Sequence, residues 1–372
     1  MNNPTDPAVL FGVEGLVAVV TGGGTGIGLM IATALESNGA TVYVIGRRLD
    51  VLERAAAEHN KFGRIIPLQA DVTSRESLLT VVQSIKARHG YIDLLVNNAG
   101  IARNLLPPHL PSPLDDADAT GSTVPSIKSF QDVLWNTGGP TGFAETFETN
   151  LTAVYYTTVA FLELLHLGNL RRGSLPPLFA AKSLSTEKPK ARRETNMDID
   201  KGSSQSSPSS TPPGAYYSIP PTPPASNSPL PPDVCLPAAS PTNALSGIPL
   251  PTSQVITVSS SGAFRVDARV LSVSYTLAKH ANMHLGKLLA NLLADWNIRS
   301  NVLCPGVWPS EMTRMEHLTP SLLAQTVPLG RPGTLSDMAG PILFLAGRAG
   351  AYVNGAVWLV DGGRVGTVAS SY

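Results

Sequence analysis

Leu16-Val17-Ala18-Val19-Val20-Thr21-Gly22-Gly23-Gly24-Thr25-Gly26-Ile27-Gly28 is the stretch on which the reading of this chain turns. Apolar, strand-forming residues run straight into a glycine-rich turn, and residues 27–38 continue with helical periodicity. Glycines there permit a tight turn and let a pyrophosphate approach the backbone, its charge resting on the helix N-terminus. A glycine cluster after a strand is also compatible with an ordinary tight turn. The strand–turn–helix context favours the phosphate reading.

Working outward, short apolar runs alternate with amphipathic segments. Residues 41–45, 64–68, 92–96, 254–258, 299–303 and 356–360 read as strands, and 50–60, 74–89, 147–167 and 274–296 as helices. Strands apolar on both faces belong to a parallel sheet covered by helices on each side. The expected fold is α/β, a single doubly wound Rossmann domain over residues 10–372, with its ligand at the carboxyl ends of the strands.

Two stretches interrupt this alternation. More than half of the 32 prolines fall within residues 168–252, among Ser, Thr, Asn and Gly. Such a composition has too little apolar surface to offset chain entropy, so 168–252 is expected to be a Pro/Ser-rich disordered insertion. Residues 102–143 read as a partial loop insertion with a weak helical patch around 130–135. Because loop-closure entropy grows only logarithmically, the long insertion is tolerable if its two ends lie close together. What remains is about 260 residues, the size of one α/β domain.

Charge and composition exclude several classes. The chain has 372 residues, with 27 Lys+Arg balanced by 27 Asp+Glu, and lacks the basic surplus that a general nucleic-acid or anionic-membrane binder needs. Its two cysteines, Cys235 and Cys304, make no disulfide framework, and no apolar run of spanning length or signal-peptide pattern is evident. The expectation is a soluble, cytoplasmic protein. His280 and His284 are one turn apart, but they lack an evident third ligand, so no metal is expected. Lys188-Pro189-Lys190-Ala191-Arg192-Arg193 reads as a solubilising cluster, with a nuclear-import or phosphate-binding patch as the other reading. Pro220-Pro221-Thr222-Pro223-Pro224 reads as a bland loop or a polyproline ligand.

The second strand ends Ile45-Gly46-Arg47-Arg48. An NAD-selecting site would put an acid there to accept from the ribose hydroxyls. Gly46 and two arginines instead offer bidentate donors for a 2′-phosphate, favouring NADP(H) over NAD(H). A solvated charge pair at a helix start is the other reading.

Taken with Asn97-Asn98-Ala99-Gly100 after the fourth strand and Tyr275-Thr276-Leu277-Ala278-Lys279 later, the glycine turn resembles the short-chain dehydrogenase/reductase family. Asp71-Val72, Ser259-Ser260, Pro305-Gly306 with Ser310 and Met312, and Asp361-Gly362-Gly363 follow in family order. The style of the Ser253–Phe264 and Pro305–Thr313 segments resembles fungal members. The resemblance implies an NADP(H)-dependent oxidoreductase interconverting a ketone and a secondary alcohol, on a 3-oxoacyl or polyketide-like carbonyl. It implies assembly as a homodimer or homotetramer. It places Asn150, Ser260, Tyr275 and Lys279 in catalysis, with Asn150 positioning a water that links Lys279 to solvent. It assigns cofactor contacts to Thr21, Gly22, Thr25, Gly26, Ile27, Gly28, Arg47, Arg48, Asp71, Val72, Asn98, Ala99, Gly100, Tyr275, Lys279, Pro305, Gly306, Val307 and Ser310. Ser260 stands a couple of residues farther from the tyrosine than the family's usual spacing, which implies a loop adjustment. Ser310 replaces the family's threonine.

Physical chemistry gives Tyr275 and Lys279 a role of their own. Four residues apart on a helix, they share a face. A tyrosine alone, with a pKa near ~10, is a poor base at neutral pH, and an adjacent ammonium is expected to favour the phenolate. Tyr275 then serves as acid or base, and Ser260 donates to the substrate oxygen. Residues 307–325, with Trp308, Met312 and Met315, are expected to form a lid that sets substrate choice. A non-redox scaffold that binds cofactor and uses the Pro-rich arm for interactions is the alternative.

Overall fold

Side chains of the first strand alternate between two apolar layers, as the pleat requires. In β1 (Val17–Thr21), Val17 and Val19 enter one layer, and Ala18 and Val20 the other. The computed structural model describes residue 3 and residues 5–115, 124–173, 250–268, 270–313 and 318–372. Six further strands join β1: β2 (Thr41–Gly46), β3 (Ile65–Gln69), β4 (Leu94–Asn97), β5 (Gln254–Val258), β6 (Arg299–Pro305) and β7 (Val357–Val360). The sheet order is β3-β2-β1-β4-β5-β6-β7 with every pairing parallel, so the chain reverses direction of growth between β1 and β4. A doubly wound sheet opens its ligand crevice at that switch point.

After the single-turn helix α1 (Pro7–Leu10), the helices cover both faces. One face carries α2 (Gly26–Glu36), α3 (Leu49–His59) and α10 (Leu335–Ala346), through Ile31, Leu35, Leu52, Met338, Ile342 and Leu345. The other carries α4 (Arg75–Arg88), α7 (Ala153–Arg171) and α8 (Val273–Leu292), whose Val81, Ile85, Phe161, Leu164 and Leu289 pack on Val17 and Val19. Each such fully buried side chain contributes roughly 1.5–3 kcal/mol over exposure. Helices α5 (Ile127–Trp135), α6 (Pro140–Phe147) and α9 (Pro320–Thr326) lie in the longer connections between strands.

Several boundaries differ from the sequence expectation. The long helix starts at Pro140, not at 147, because proline suits the first helical turn, where its missing N–H is no loss. It passes through a π turn (Glu148–Thr152) into α7, giving one helix from Pro140 to Arg171. By length and composition this helix would suffice to cross a bilayer, contrary to the expectation of no such segment. Its most apolar window is 44% buried, as for a helix lying on a sheet. The expected insertion boundary at 168 falls inside α7: Gly168 and Asn169 are buried, and a Cβ on Gly168 would stand 2.2 Å from the Ile92 carbonyl. The helical patch in 102–143 is α5, but Pro140, Gly142 and Phe143 belong to α6. Residues 174–249, with the disorder expected of them and with the two motifs at 188–193 and 220–224, lie outside the described residues.

The ends that flank 174–249 are tied together. Arg172 Nη1 donates to the Pro251 carbonyl at 2.8 Å, and Ser253 N donates to Asn169 Oδ1 at 2.7 Å. Both ties sit at the amino ends of β4 and β5, where the Asp93 carboxylate meets Arg172 at 2.9 Å and Arg171 at 3.5 Å.

Candidate active site

At the opposite, carboxyl ends of the strands, the glycine turn forms a cradle. Gly22 and Gly26 have φ of 64° and 52°, a region that favours glycine. A Cβ on Gly28 would come within 2.2 Å of the Gly22 carbonyl, so the helix start packs directly on the turn. Thr25 caps α2 without a side-chain hydrogen bond, so the first-turn N–H groups receive no acceptor from the cap. A phosphate is the natural acceptor for donors in that arrangement, so the residues fit a dinucleotide. Ile27 is half-buried in that first turn.

Thr21 and Asn98 brace the cradle from behind. The buried Thr21 Oγ1 accepts from Asn98 N at 3.0 Å and Ala99 N at 3.1 Å. Asn98 Nδ2 donates to the carbonyls of Thr21 and Gly22 at 2.9 and 3.2 Å. At the end of β3, the Asp71 carboxylate accepts from the N–H and hydroxyl of Thr73, which closes a local turn, while Val72 is half-buried. Beyond β6, Gly306 abuts Asp361, and the loop through Val307 brings Ser310 over Gly26, 2.9 Å from where a Cβ would sit. Pro305 is buried at the strand end.

The two arginines have separate fates. Arg48 Nη2 pairs with both Glu311 oxygens at 2.9 and 2.8 Å, joining the end of β2 to the loop after β6. Arg47 is exposed, and among the described residues its side chain has no partner, while its backbone carbonyl accepts from Gln69 Nε2 at 2.8 Å.

Helix α8 brings its pair under the crevice. Tyr275 and Lys279 are 9% and 4% exposed, and Lys279 Nζ lies 6.0 Å from the tyrosine ring centroid. Nζ donates to the Val258 carbonyl at 2.8 Å. The Ser260 hydroxyl lies close enough to the Tyr275 phenol to pull its pKa down, and it accepts from Gly262 N at 3.0 Å. Ser259 Oγ is turned away, donating to the Lys279 carbonyl at 2.7 Å. The extra spacing before Tyr275 is taken up by a 3-10 turn, Ser261–Phe264, and the loop after it.

Electrostatics departs from expectation. Burial raises the Tyr275 pKa above its usual 10, with the Ser260 hydrogen bond pulling back in part. Burial also lowers Lys279 to about 8. The expected depression of the phenol by its neighbour is therefore not a property of the protein alone: both groups are dehydrated, and the ammonium is committed to a carbonyl. Cys304, beneath them, is pushed up to about 12 by burial and stays a thiol.

Asn150 sits in the π turn. Its Oδ1 accepts from Ile101 N and its Nδ2 donates to the Ile101 carbonyl, both at 2.8 Å. A Cβ on Gly100 would crowd the site, 3.0 Å from Asn150 Oδ1 and 3.4 Å from Lys279 Nζ. The expected lid fares differently. Trp308 is 4% exposed, donates from Nε1 to the Thr334 carbonyl and packs against Gly333, so it is core rather than lid. Met312 is exposed, and Met315 lies outside the described residues. His280 Nδ1 contacts the Ala263 carbonyl at 2.9 Å, and no cluster of three metal-ligating side chains occurs among the described residues.

Residues 16–120 match the family described as short chain dehydrogenase, and 238–364 the one described as enoyl-(acyl carrier protein) reductase. The short-chain dehydrogenase/reductase PhomF of Diaporthe leptostromiformis is 37% identical over 98% of this chain and 96% of its own. The chain belongs to the short-chain dehydrogenase/reductase family. It is accordingly an NAD(P)H-dependent oxidoreductase. VdtF of Byssochlamys spectabilis, another short-chain dehydrogenase/reductase, is also 37% identical, over 98% of this chain and 97% of its own. Among solved structures, the Pseudomonas aeruginosa RhlG/NADP active-site complex shares the fold, with a TM-score of 0.59 at 23% identity over 95% of this chain and 98% of that one.

Sequence reasoning on this short-chain dehydrogenase/reductase missed Glu311, the partner of Arg48, and Asn282, whose Nδ2 donates to the Asn150 carbonyl at 2.6 Å. Neither belongs to a spaced motif. Its place three residues past Lys279, on the same buried face of α8, is the one signal that could have pointed to Asn282.

Proposed function

We propose that this short-chain dehydrogenase/reductase interconverts a ketone and a secondary alcohol, using NADP(H), with Tyr275 as the proton donor and acceptor. The observation that carries this reading is the buried phenol beside Ser260 and one turn from Lys279, whose Nζ lies 3.4 Å from where a Cβ on Gly100 would sit. When bound, NADP(H) supplies or takes up the hydride at the carbonyl carbon. In reduction, Tyr275 Oη gives its proton to the carbonyl oxygen as that oxygen gains charge, and the Ser260 hydroxyl donates a hydrogen bond to the same oxygen. A phenol held protonated by burial suits the reducing direction. Lys279 Nζ would hold the nicotinamide ribose, and the N–H groups of Gly26–Gly28 the pyrophosphate.

Arg47, exposed and free of side-chain partners among the described residues, supports a 2′-phosphate contact, while Arg48 must first leave Glu311. A groove of about 730 Å³ lined by Leu134, Trp135, Phe143 and Phe147 supports a substrate with an apolar acyl or polyketide-like body. It reaches Asn104, whose Oδ1 is 3.4 Å from the hydroxyl of Ser274, the neighbour of Tyr275. Exposed Tyr155, Tyr156 and Val159 on α7, with Leu277, Leu288 and Leu292 on α8, support pairing with a second copy.

The test is NADPH oxidation over a panel of ketones. Tyr275→Phe is expected to lower turnover by roughly 10²–10⁴-fold, with NADPH affinity kept. Equal turnover removes Tyr275 as the proton donor. Tight NADPH binding without turnover of any carbonyl points to a non-redox scaffold. Arg47→Ser is expected to weaken NADPH about tenfold or more and leave NADH unchanged, as loss of a charged hydrogen bond implies.

A further inference from the structure

Asn282 occupies a position that packing alone would give to an apolar side chain. It is 0% exposed on the inward face of α8, between Ala278 and Gly286, which are buried as well. Its Oδ1 has no hydrogen-bond partner among the described residues. A half-satisfied buried amide costs stability, because the orphaned acceptor has given up water for nothing. The residue is therefore not explained as a stabilising device.

What its other half does is specific. A π turn adds one residue to a helix and disrupts the regular ladder of carbonyl acceptors. In the turn Glu148–Thr152, Asn282 Nδ2 donates to the Asn150 carbonyl at 2.6 Å, from 132 residues away in sequence. The side chain of that same Asn150 makes two 2.8 Å bonds to the backbone of Ile101, and its Oδ1 faces Gly100 alongside Lys279 Nζ. One restraint thus runs from α8 through the π turn to the loop after β4, whose Gly100 lies beside Lys279 Nζ.

We propose that Asn282 is a positioning residue: by capping the Asn150 carbonyl it holds the π turn in register and sets the Asn150 amide against Gly100–Ile101 and Lys279. The effect on turnover rests on the function proposed above, whereas the effect on the loop does not. Two measurements on Asn282→Leu separate these.

The first is amide hydrogen exchange, which needs no substrate. Exchange at Ile101 N–H is expected to rise about tenfold or more, while the amides of β1 stay as protected as before. The second is steady-state kinetics on a ketone that the parent enzyme reduces. The expected result is kcat lower by about tenfold, with KM and the NADPH Kd within about twofold, the signature of misplaced chemistry rather than lost binding. Asn282→Ala, which cannot overpack the site, is read in the same two ways should the leucine fail to fold. Unchanged Ile101 exchange in a folded variant overturns the proposal. So does kcat that merely tracks the folded fraction, with protection lost evenly across the sheet. A parent enzyme that reduces no ketone overturns the function proposed above, and the exchange result then decides the role of Asn282 by itself.

Discussion

The two ends of the parallel sheet carry opposite polar chemistry. At the amino ends, charged groups answer one another. Asp93 takes Arg171, Arg172 and the Val17 N–H, while Arg299 Nη1 bonds Gln254 Oε1 and the carbonyls of Gly350 and Val353. Asn169 joins Ser253 to the carbonyls of Trp296 and Asn297. At the carboxyl ends the polar groups are not paired with one another: a helix start without a side-chain cap, an exposed arginine, and a phenol and an ammonium that burial holds away from their ordinary pKa values, the ammonium meeting a backbone carbonyl. Mutual pairing spends polar groups on holding the fold. Groups left without mutual partners remain available to a ligand, at a cost in stability.

Lys279→Met should break this contrast most strongly. Turnover should fall by at least about a hundredfold, yet the protein should become more stable at pH 7. The native lysine has its pKa lowered from 10.5 to about 8, so the unfolded chain binds more protons between those values, and stability of the parent rises with pH through that window. The penalty the substitution removes, about 3 kcal/mol at most, is fully present below pH 8 and gone above about 10.5. Melting curves at pH 7 and pH 10 check it: a Tm advantage that does not shrink at the higher pH contradicts the assignment.

Asp93→Asn is the counterpart at the other end. It strands two arginines against a buried amide and should cost about 3 kcal/mol in urea unfolding, with the NADPH Kd unchanged within about twofold. A loss of NADPH affinity in the folded variant would erase the division between the ends.

Smaller effects sharpen the comparison. Glu311→Gln should free Arg48 and tighten NADPH about two- to threefold without changing NADH, since the pair it breaks is exposed. Replacing residues 174–249 by a short flexible linker should change neither the NADPH Kd nor kcat by more than about twofold. The junctions lie at the amino ends of the strands, and α7, at ~1.5 Å per residue, separates them from Asn150 by most of its length. The cut must spare Arg172 and Pro251, which hold the junction closed.

The strands were legible because a doubly covered strand is an apolar run bounded by turns, and the site motifs because glycines, Tyr275 and Lys279 stand at spacings the chemistry requires. Proline at the first turn of α6 looked like loop material, and the boundary at 168 followed composition where packing of Gly168 against Ile92 decides. Helices α9 and α10 went unassigned because Pro320 and Pro341 mask their periodicity. Trp308 read as a lid because a surface aromatic and a core aromatic look alike in sequence. The π turn, Asp93 with its arginines, and Asn282 depend on partners far away in the chain, which no local pattern records.

The Arg172–Pro251 tie gives the molecule a socket. Because the chain leaves and re-enters at one closed junction at the amino ends of the strands, the length between is expected to tolerate lengthening, trimming or exchange. A reporter domain or affinity module grafted between residues 173 and 250 would ride on an enzyme whose catalytic face need not register its presence.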